Sequence, residues 1–310
     1  MSASYKQRIP LLAVVFSIAS LSAGAQPIVR GTQRLTSERP ETWAIRYFTS
    51  ITLLSGLGVP RWRPAGSVLI GAEGAWIPRL STEQRRVGLN GTRLEDLNKA
   101  PVFLRPRLTI GMPGGIAATA AFVPPIEMFG VRSKLLALAF ERSVHDSESW
   151  AMGLRAFGQV GTAEAAITCS GERAFPPGSI QNPSGCLAAS SDVASLGYAG
   201  LELSAGGGRE ARVEPHIAVS ANYLHNRFQT NARRFDFLDG VRTELIDRTV
   251  QRSGGFTVAA TVGLGFRLGD RLDMGVDLFY APLWVRRRAG AARQHDGLLT
   301  AKALLRYRIR

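Results

Sequence analysis

From residue 66 onward, apolar side chains return at every second position in ten stretches: 67–78, 102–112, 116–123, 134–142, 150–162, 195–205, 212–224, 255–267, 271–281 and 298–309. A pleated strand sends successive side chains to opposite faces, so each stretch has one apolar face and one mixed face. The clearest is 255–267, where Phe256, Val258, Ala260, Val262, Leu264 and Phe266 alternate with Thr257, Ala259, Thr261, Gly263, Gly265 and Arg267. Leu268-Gly269-Asp270 leaves room only for a tight hairpin into 271–281, so those two strands are antiparallel neighbours.

The connections alternate in length. Short turns at 113–115, 143–149, 206–211 and 268–270 are interleaved with long loops at 79–101, 124–133, 163–194, 225–254 and 282–297. A meander of this kind puts every short turn at one end and every long loop at the other, the layout of a closed antiparallel up-and-down transmembrane β-barrel of about ten strands, with twelve as the alternative count. Outward aromatics then fall at segment ends: Trp76, Phe122, Tyr223, Phe256 and Tyr280 at the long-loop end, and Phe140, Trp150, Phe266 and Tyr307 at the short-turn end. Rings with a polar edge favour the headgroup boundary, so two belts are expected of a barrel in a bilayer.

The same alternation turns Arg105, Arg107, Arg155, Arg267, Lys302, Arg306 and Arg308 inward, with Glu73, Glu141, Glu202, Glu214, Asp273 and Asp277. Seven cations against six anions suit a lumen filled by ion pairs, and a wide water-filled channel needs roughly 16 strands. A plugged or narrow lumen follows.

Residues 1–25 carry Lys6 and Arg8, an apolar run from Ile9 to Leu21 and Ala23-Gly24-Ala25, the pattern of a cleaved secretory signal peptide. Without those two cations the formal charge falls from +14 to +12, a surplus that in an exported protein points to lipid phosphate and away from nucleic acid. Residues 26–65 precede the barrel at 66–310. Residues 26–40 read as a polar tether. After Pro40, the spacing of Ala44, Tyr47, Phe48, Ile51 and Leu54 predicts a short helix that plugs the lumen or lies at the periplasmic rim; alternation of Tyr47, Thr49, Ile51 and Leu53 also fits an eleventh strand. The two cysteines, Cys169 and Cys186, are expected to pair in an oxidising compartment. With neither His nor further Cys near them, no metal or cofactor is expected.

These features together resemble bacterial outer-membrane β-barrel proteins as a class, over about residues 66–310. In that class the last strand ends in a polar-x-Gly-x-x-apolar-x-aromatic pattern used by the barrel assembly machinery. Lys302, Tyr307 and Ile309 fit it, while Leu304 replaces the glycine and Arg310 the terminal aromatic. The resemblance implies an outer-membrane location, outer-membrane lipids and lipopolysaccharide as surroundings, and the assembly machinery as a partner. It implies no oligomeric state.

Candidate chemistry is sparse. The His-x-Ser and paired Asp-x-Asp and Asp-x-His spacings of barrel hydrolases are absent. The nearest substitutes are His295-Asp296 in the last long loop and Asp236 with Asp239 in the loop before it. His216 and Ser220 share an inward face but stand roughly 13 Å apart along the strand. Arg286, Arg287, Arg288 and Arg293 are candidates for lipid phosphate, because a guanidinium fork matches phosphate geometry. Arg85-Arg86 shares that chemistry. The expected function is a non-enzymatic barrel with a structural role or restricted small-solute transport; the alternative is a hydrolase with its site in the extracellular loops.

Overall fold

A computed structural model describes residues 28–171, 175–182, 185–208, 212–238, 241–288 and 290–309. The signal peptide expected at 1–25 and Asp239 lie outside them. Ten strands close into one antiparallel barrel: β1 (Val68–Trp76), β2 (Val102–Met112), β3 (Ile116–Val123), β4 (Val131–Asp146), β5 (Trp150–Ala165), β6 (Asp192–Gly207), β7 (Val213–Gln229), β8 (Val241–Arg267), β9 (Leu272–Ala281) and β10 (Leu298–Arg308). Neighbours in sequence are neighbours in space, and β10 pairs back onto β1 with Lys302 opposite Ala75, which closes the ring. Closure removes both sheet edges, and in a bilayer that is obligatory because no water is present to satisfy an unpaired strand.

The exterior is a continuous apolar band. Leu108, Leu138, Leu154, Leu201, Val219, Val262 and Leu278 are all exposed. Trp76, Phe122, Tyr223, Phe256 and Tyr280 are exposed at the long-loop end, with Phe140, Trp150 and Tyr307 at the other. An exposed apolar belt of this extent between two aromatic girdles is a membrane-spanning surface. Among the described residues no helix is long and apolar enough to cross a bilayer, so the crossing is made by strands.

Two stretches differ from the sequence reading. The loop expected at 225–254 is largely strand: β7 runs to Gln229, a strand at Ala232–Leu238 pairs with the start of β8, and β8 itself begins at Val241. This hairpin stands beyond the hydrocarbon, with Ala232 packed on the Cys169–Cys186 disulfide and Leu245 buried, so the ladder continues while the apolar-outward alternation that the membrane imposes disappears. Arg227, Arg233, Arg234, Glu244, Asp247 and Arg248 replace it. Likewise the tether includes a strand, Ile28–Arg34, that pairs in parallel with residues 246–252 of the β8 extension.

From that strand the chain turns into the barrel as α1 (Pro40–Ile51). Pro40 at the first turn supplies a preset φ, and Trp43, Ala44, Tyr47 and Ile51 bury the apolar stripe. Residues 52–63 then run on without regular structure toward the short turns, with Gly56, Leu57 and Gly58 all at positive φ. Arg61 there binds Asp146 at 3.0 Å and Glu214 at 3.1 Å. The segment thus enters from the long-loop end and traverses the whole lumen before β1 begins.

Candidate binding site: an apolar cavity above a closed lumen

The inward charges meet the irregular part of the traversing segment. A chain outside helix and sheet leaves its N–H and C=O groups unpaired, and burial demands partners for them. The wall supplies these one after another. The Thr52 carbonyl accepts from Arg105 at 2.8 Å and from the Tyr198 hydroxyl at 2.8 Å, and its hydroxyl accepts from Gln159 at 2.9 Å. Lys302 donates to the Leu53 carbonyl at 2.7 Å, and Arg155 to that of Gly56 at 3.0 Å. The Gly56 amide donates to Glu202 at 2.7 Å, and the Leu57 amide to Asp277 at 2.5 Å. Gly56 has φ 77°, and a Cβ there would press on the Asp277 carboxylate, so the close approach requires glycine.

The same side chains neutralise one another. Glu73 is shared by Arg105 and Arg107, each Nε at 2.6 Å; Arg155 bridges Glu141, at 3.0 Å, and Glu202; His216 meets Asp277 at 2.8 Å. Nearer the short turns, Arg267 pairs with Glu214 at 3.2 Å, Arg306 stands opposite Asp273 in the ladder, and Arg308 is exposed at the strand end. Gly153 lets Pro60 pass, since a Cβ there would overlap its ring. Gln159, Tyr198 and the Arg61–Asp146 pair were not legible as plug contacts, because their partners are backbone or lie in a segment whose path no alternation reveals.

Above Thr52 the picture changes. A cavity of about 1300 Å³ lies between α1 and the upper wall from β2 to β8. Ile45 of α1 packs against Leu135 and Leu196, with Phe103, Val123 and Phe228 around them. The volume exceeds the roughly 300–1,000 Å³ of ordinary ligand pockets. Inward apolar residues on upper strand ends, such as Leu135 beside outward Leu136, are the sequence signal for it: the strand is apolar on both faces there.

Long loops cover the cavity. Ile167, Thr168, Ile180 and Gly185 line it from the loop at 166–191, which is closed by the Cys169–Cys186 disulfide. Asp192 accepts from the amides of Ile167 and Thr168 at 3.1 and 2.6 Å, from the Ser190 hydroxyl at 2.7 Å and from the Asn231 amide at 3.0 Å. Asp96 of the first long loop receives the Ser170 hydroxyl at 2.6 Å and lies 2.5 Å from Lys99. Burial works against its charge, yet these two partners outweigh it and hold the carboxyl below the usual range.

The last long loop anchors α1. Trp43 donates to the Asp296 carbonyl at 2.8 Å, and the Arg287 guanidinium stacks 4.1 Å over its ring. Burial, and then the Asp296 charge, push the Tyr47 hydroxyl above its ordinary value, so it stays a neutral donor. Arg287 is itself buried and paired with Asp296, which leaves it no free face for a phosphate. Arg286 binds Glu38 at 3.0 Å, Arg293 lies 3.7 Å from Glu38 over the Trp284 ring, and Arg288 is exposed. His295 meets the Tyr280 hydroxyl at 2.7 Å, while the Asp296 carboxylate is taken by Arg287 and Gln84. The two are sequence neighbours that face different partners. Among the described residues no cluster of three metal-ligating side chains occurs.

No family model and no curated protein matches the chain. Among solved structures it is similar to the outer membrane protease OmpT of Escherichia coli, at 10% identity over 79% of this chain and 94% of that one, TM-score 0.36. It is also similar to two toluene transporters. TbuX of Ralstonia pickettii is 9% identical over 80% and 90% of the two chains, TM-score 0.33; TodX of Pseudomonas putida is 10% identical over 92% and 78%, TM-score 0.32. The fold resembles bacterial outer-membrane β-barrels. At such values the likeness is one of architecture and says nothing about chemistry.

Proposed function

We propose that this protein is an outer-membrane barrel that captures a small apolar or single-chain amphipathic solute from the cell exterior, its lumen otherwise shut. The observation that carries the reading is the apolar cavity of about 1300 Å³ set directly above the hydrogen-bonded layer at Thr52. Charged residues such as Arg93, Lys99 and Arg234 also line the cavity, but Ile45, Phe103, Leu135, Leu196 and Phe228 form a continuous apolar wall, for which an apolar solute leaves water at about 25 cal/mol per Å² buried. The loops are pre-ordered by the disulfide and by Asp192, so little entropy is lost on binding.

The test is saturable binding of the apolar fluorophore N-phenyl-1-naphthylamine to the purified barrel. Leu196→Asp, which puts a charge in the lining, is expected to weaken it at least about tenfold. Non-saturable uptake, equal in the wild type and the variant, would sink the reading. We also propose that the barrel is not an enzyme, supported by the engagement of Asp296 with Arg287 and Gln84 rather than with His295. A hydrolytic turnover abolished by His295→Ala in a folded barrel would overturn that.

A further inference from the structure

We propose that the cavity opens sideways into the outer half of the bilayer, through the wall between β2 and β3, and that its apolar ligand passes there between cavity and hydrocarbon. This rests on the cavity reading above and adds a route to it.

The opening is a break in the ladder beside the cavity; among the described residues, 253–259 of β8 and 298–301 of β10 also have a strand partner on one side only, but none of them lines the cavity. β2 is paired with β1 along its length, from Val68–Ile110 to Trp76–Val102. On its other side the register with β3 stops at Arg107–Ala121. Among the described residues, 102–106 have strand partners only on β1. The first residue beyond the break is Pro106, which has no N–H to donate. On the facing side β3 ends at Val123, and Pro124-Pro125 carries the chain away. Its neighbour β4 runs on without it, starting at Val131. The gap left on β2 is four residue steps long, roughly 13 Å of strand.

The gap is bordered by exposed apolar residues on β2 and at the hairpin tip, with the exposed Glu127–Arg132 pair and Lys134 on its β4 side. Val102 and Leu104 point outward from β2, and Ile126, Met128 and Phe129 face them from the small hairpin in which Met128 pairs with Val131. The tip of that hairpin holds Phe129 at φ 55°, a left-handed conformation unusual for a bulky side chain. These outward-facing and loop residues line the same cavity as the inward Phe103, Val123 and Leu135. One cavity therefore reaches both faces of the wall. Its depth is set by the aromatic belt: Trp76, opposite Val102, is level with the upper end of the break, and Phe122, one residue past the last pair with β2, with its lower end. The opening thus lies where headgroups give way to acyl chains.

The alternative path leads down the lumen, and there a solute meets Arg105, Gln159 and Tyr198 bonded to Thr52, then the Glu73 and Arg155 ion pairs. An apolar molecule would have to break charge-assisted bonds and offer nothing in return. The wall gap asks for no such exchange.

The test uses a cavity thiol and two maleimides. Cys169 and Cys186 are paired, so Ala194→Cys, in the cavity lining, supplies a unique free thiol. Proteoliposomes carrying N-hexadecylmaleimide in their lipid are expected to label it at least about ten times faster than in the same protein with Leu104→Lys and Met128→Glu. Those charges lie near the headgroup boundary, where a barrel wall tolerates them; heat-modifiable migration checks the fold, and Leu104→Trp is the second blocking variant. Water-soluble N-ethylmaleimide is expected to label both at the same rate. If N-ethylmaleimide labels while the lipid reagent does not, or if the lipid reagent is insensitive to both blocking variants, the lateral route is wrong and the cavity stands. If neither reagent labels Ala194→Cys, while a membrane-facing control Leu138→Cys reacts, the cavity reading fails as well.

Discussion

The upper and lower halves of the lumen are built by the same ten strands and crossed by the same segment, yet one is an apolar cavity and the other a filled ionic core. The difference lies in the conformation of the segment. Below Thr52 it has no regular structure, its peptide groups lack a ladder or helix of their own, and the wall answers with Arg105, Arg155, Glu202, Asp277 and Lys302. Above Thr52 it is α1, whose peptide groups bond within the helix, so the wall around it is free to be apolar. Backbone hydrogen bonding, more than net charge, decides where this barrel is ionic and where it is greasy.

The most direct way to break that comparison is to remove the segment. Deleting residues 28–58 is expected to convert a barrel silent in planar bilayers into one with clear conductance steps; a conducting wild type, or a silent deletion that still migrates as a folded barrel, would refute the plug. Next in size is Glu73→Gln, which leaves Arg105 and Arg107 buried without their shared anion and should lower stability by about 3–5 kcal/mol, read from denaturant unfolding in detergent. A change below 1 kcal/mol would mean that the ionic layer is not what holds the lower half.

The upper half should respond to its lid. Replacing both Cys169 and Cys186 by Ser is expected to cost at most about 3 kcal/mol, by freeing a loop closed over 17 residues of separation, and to weaken binding of the apolar fluorophore while leaving conductance absent. Smallest is the effect of Asp96. Its carboxyl titrates lower folded than unfolded, so its contribution is present above the ordinary carboxylate range and is lost as pH falls through the lowered value. Asp96→Asn should therefore lower the melting temperature slightly at neutral pH and not at all in strong acid. An equal effect at both would show that charge is not its role.

Much of this architecture was legible beforehand, and the reasons are local. The stretches at 102–112 and 116–123 coincide with β2 and β3 because the membrane imposes a strict apolar-outward alternation there. Where that pressure ends, the reading fails: residues 232–238 and 241–254 keep pairing beyond the hydrocarbon with charged residues on both faces, and the strand at Ile28–Arg34 carries no alternation at all. The inward charges could be placed by parity alone. Their partners could not, since Glu73 and Arg105 are brought together by strand register, and Thr52 meets Gln159 only because the segment crosses the lumen. The cavity was hidden because it is bounded by residues from many strands and loops, each unremarkable in its own stretch.

The sequence by itself determined a ten-stranded closed ring with a greasy outside and a balanced ionic inside, because alternation, turn length and hydrophobicity act over a few residues at a time. Only the tertiary structure decided which charges pair, that residues 52–63 fill the lower lumen, that an apolar cavity remains above them, and that the ladder between β2 and β3 breaks at Pro106. These depend on long-range register and on where a folded segment satisfies its own backbone, and no local pattern encodes either.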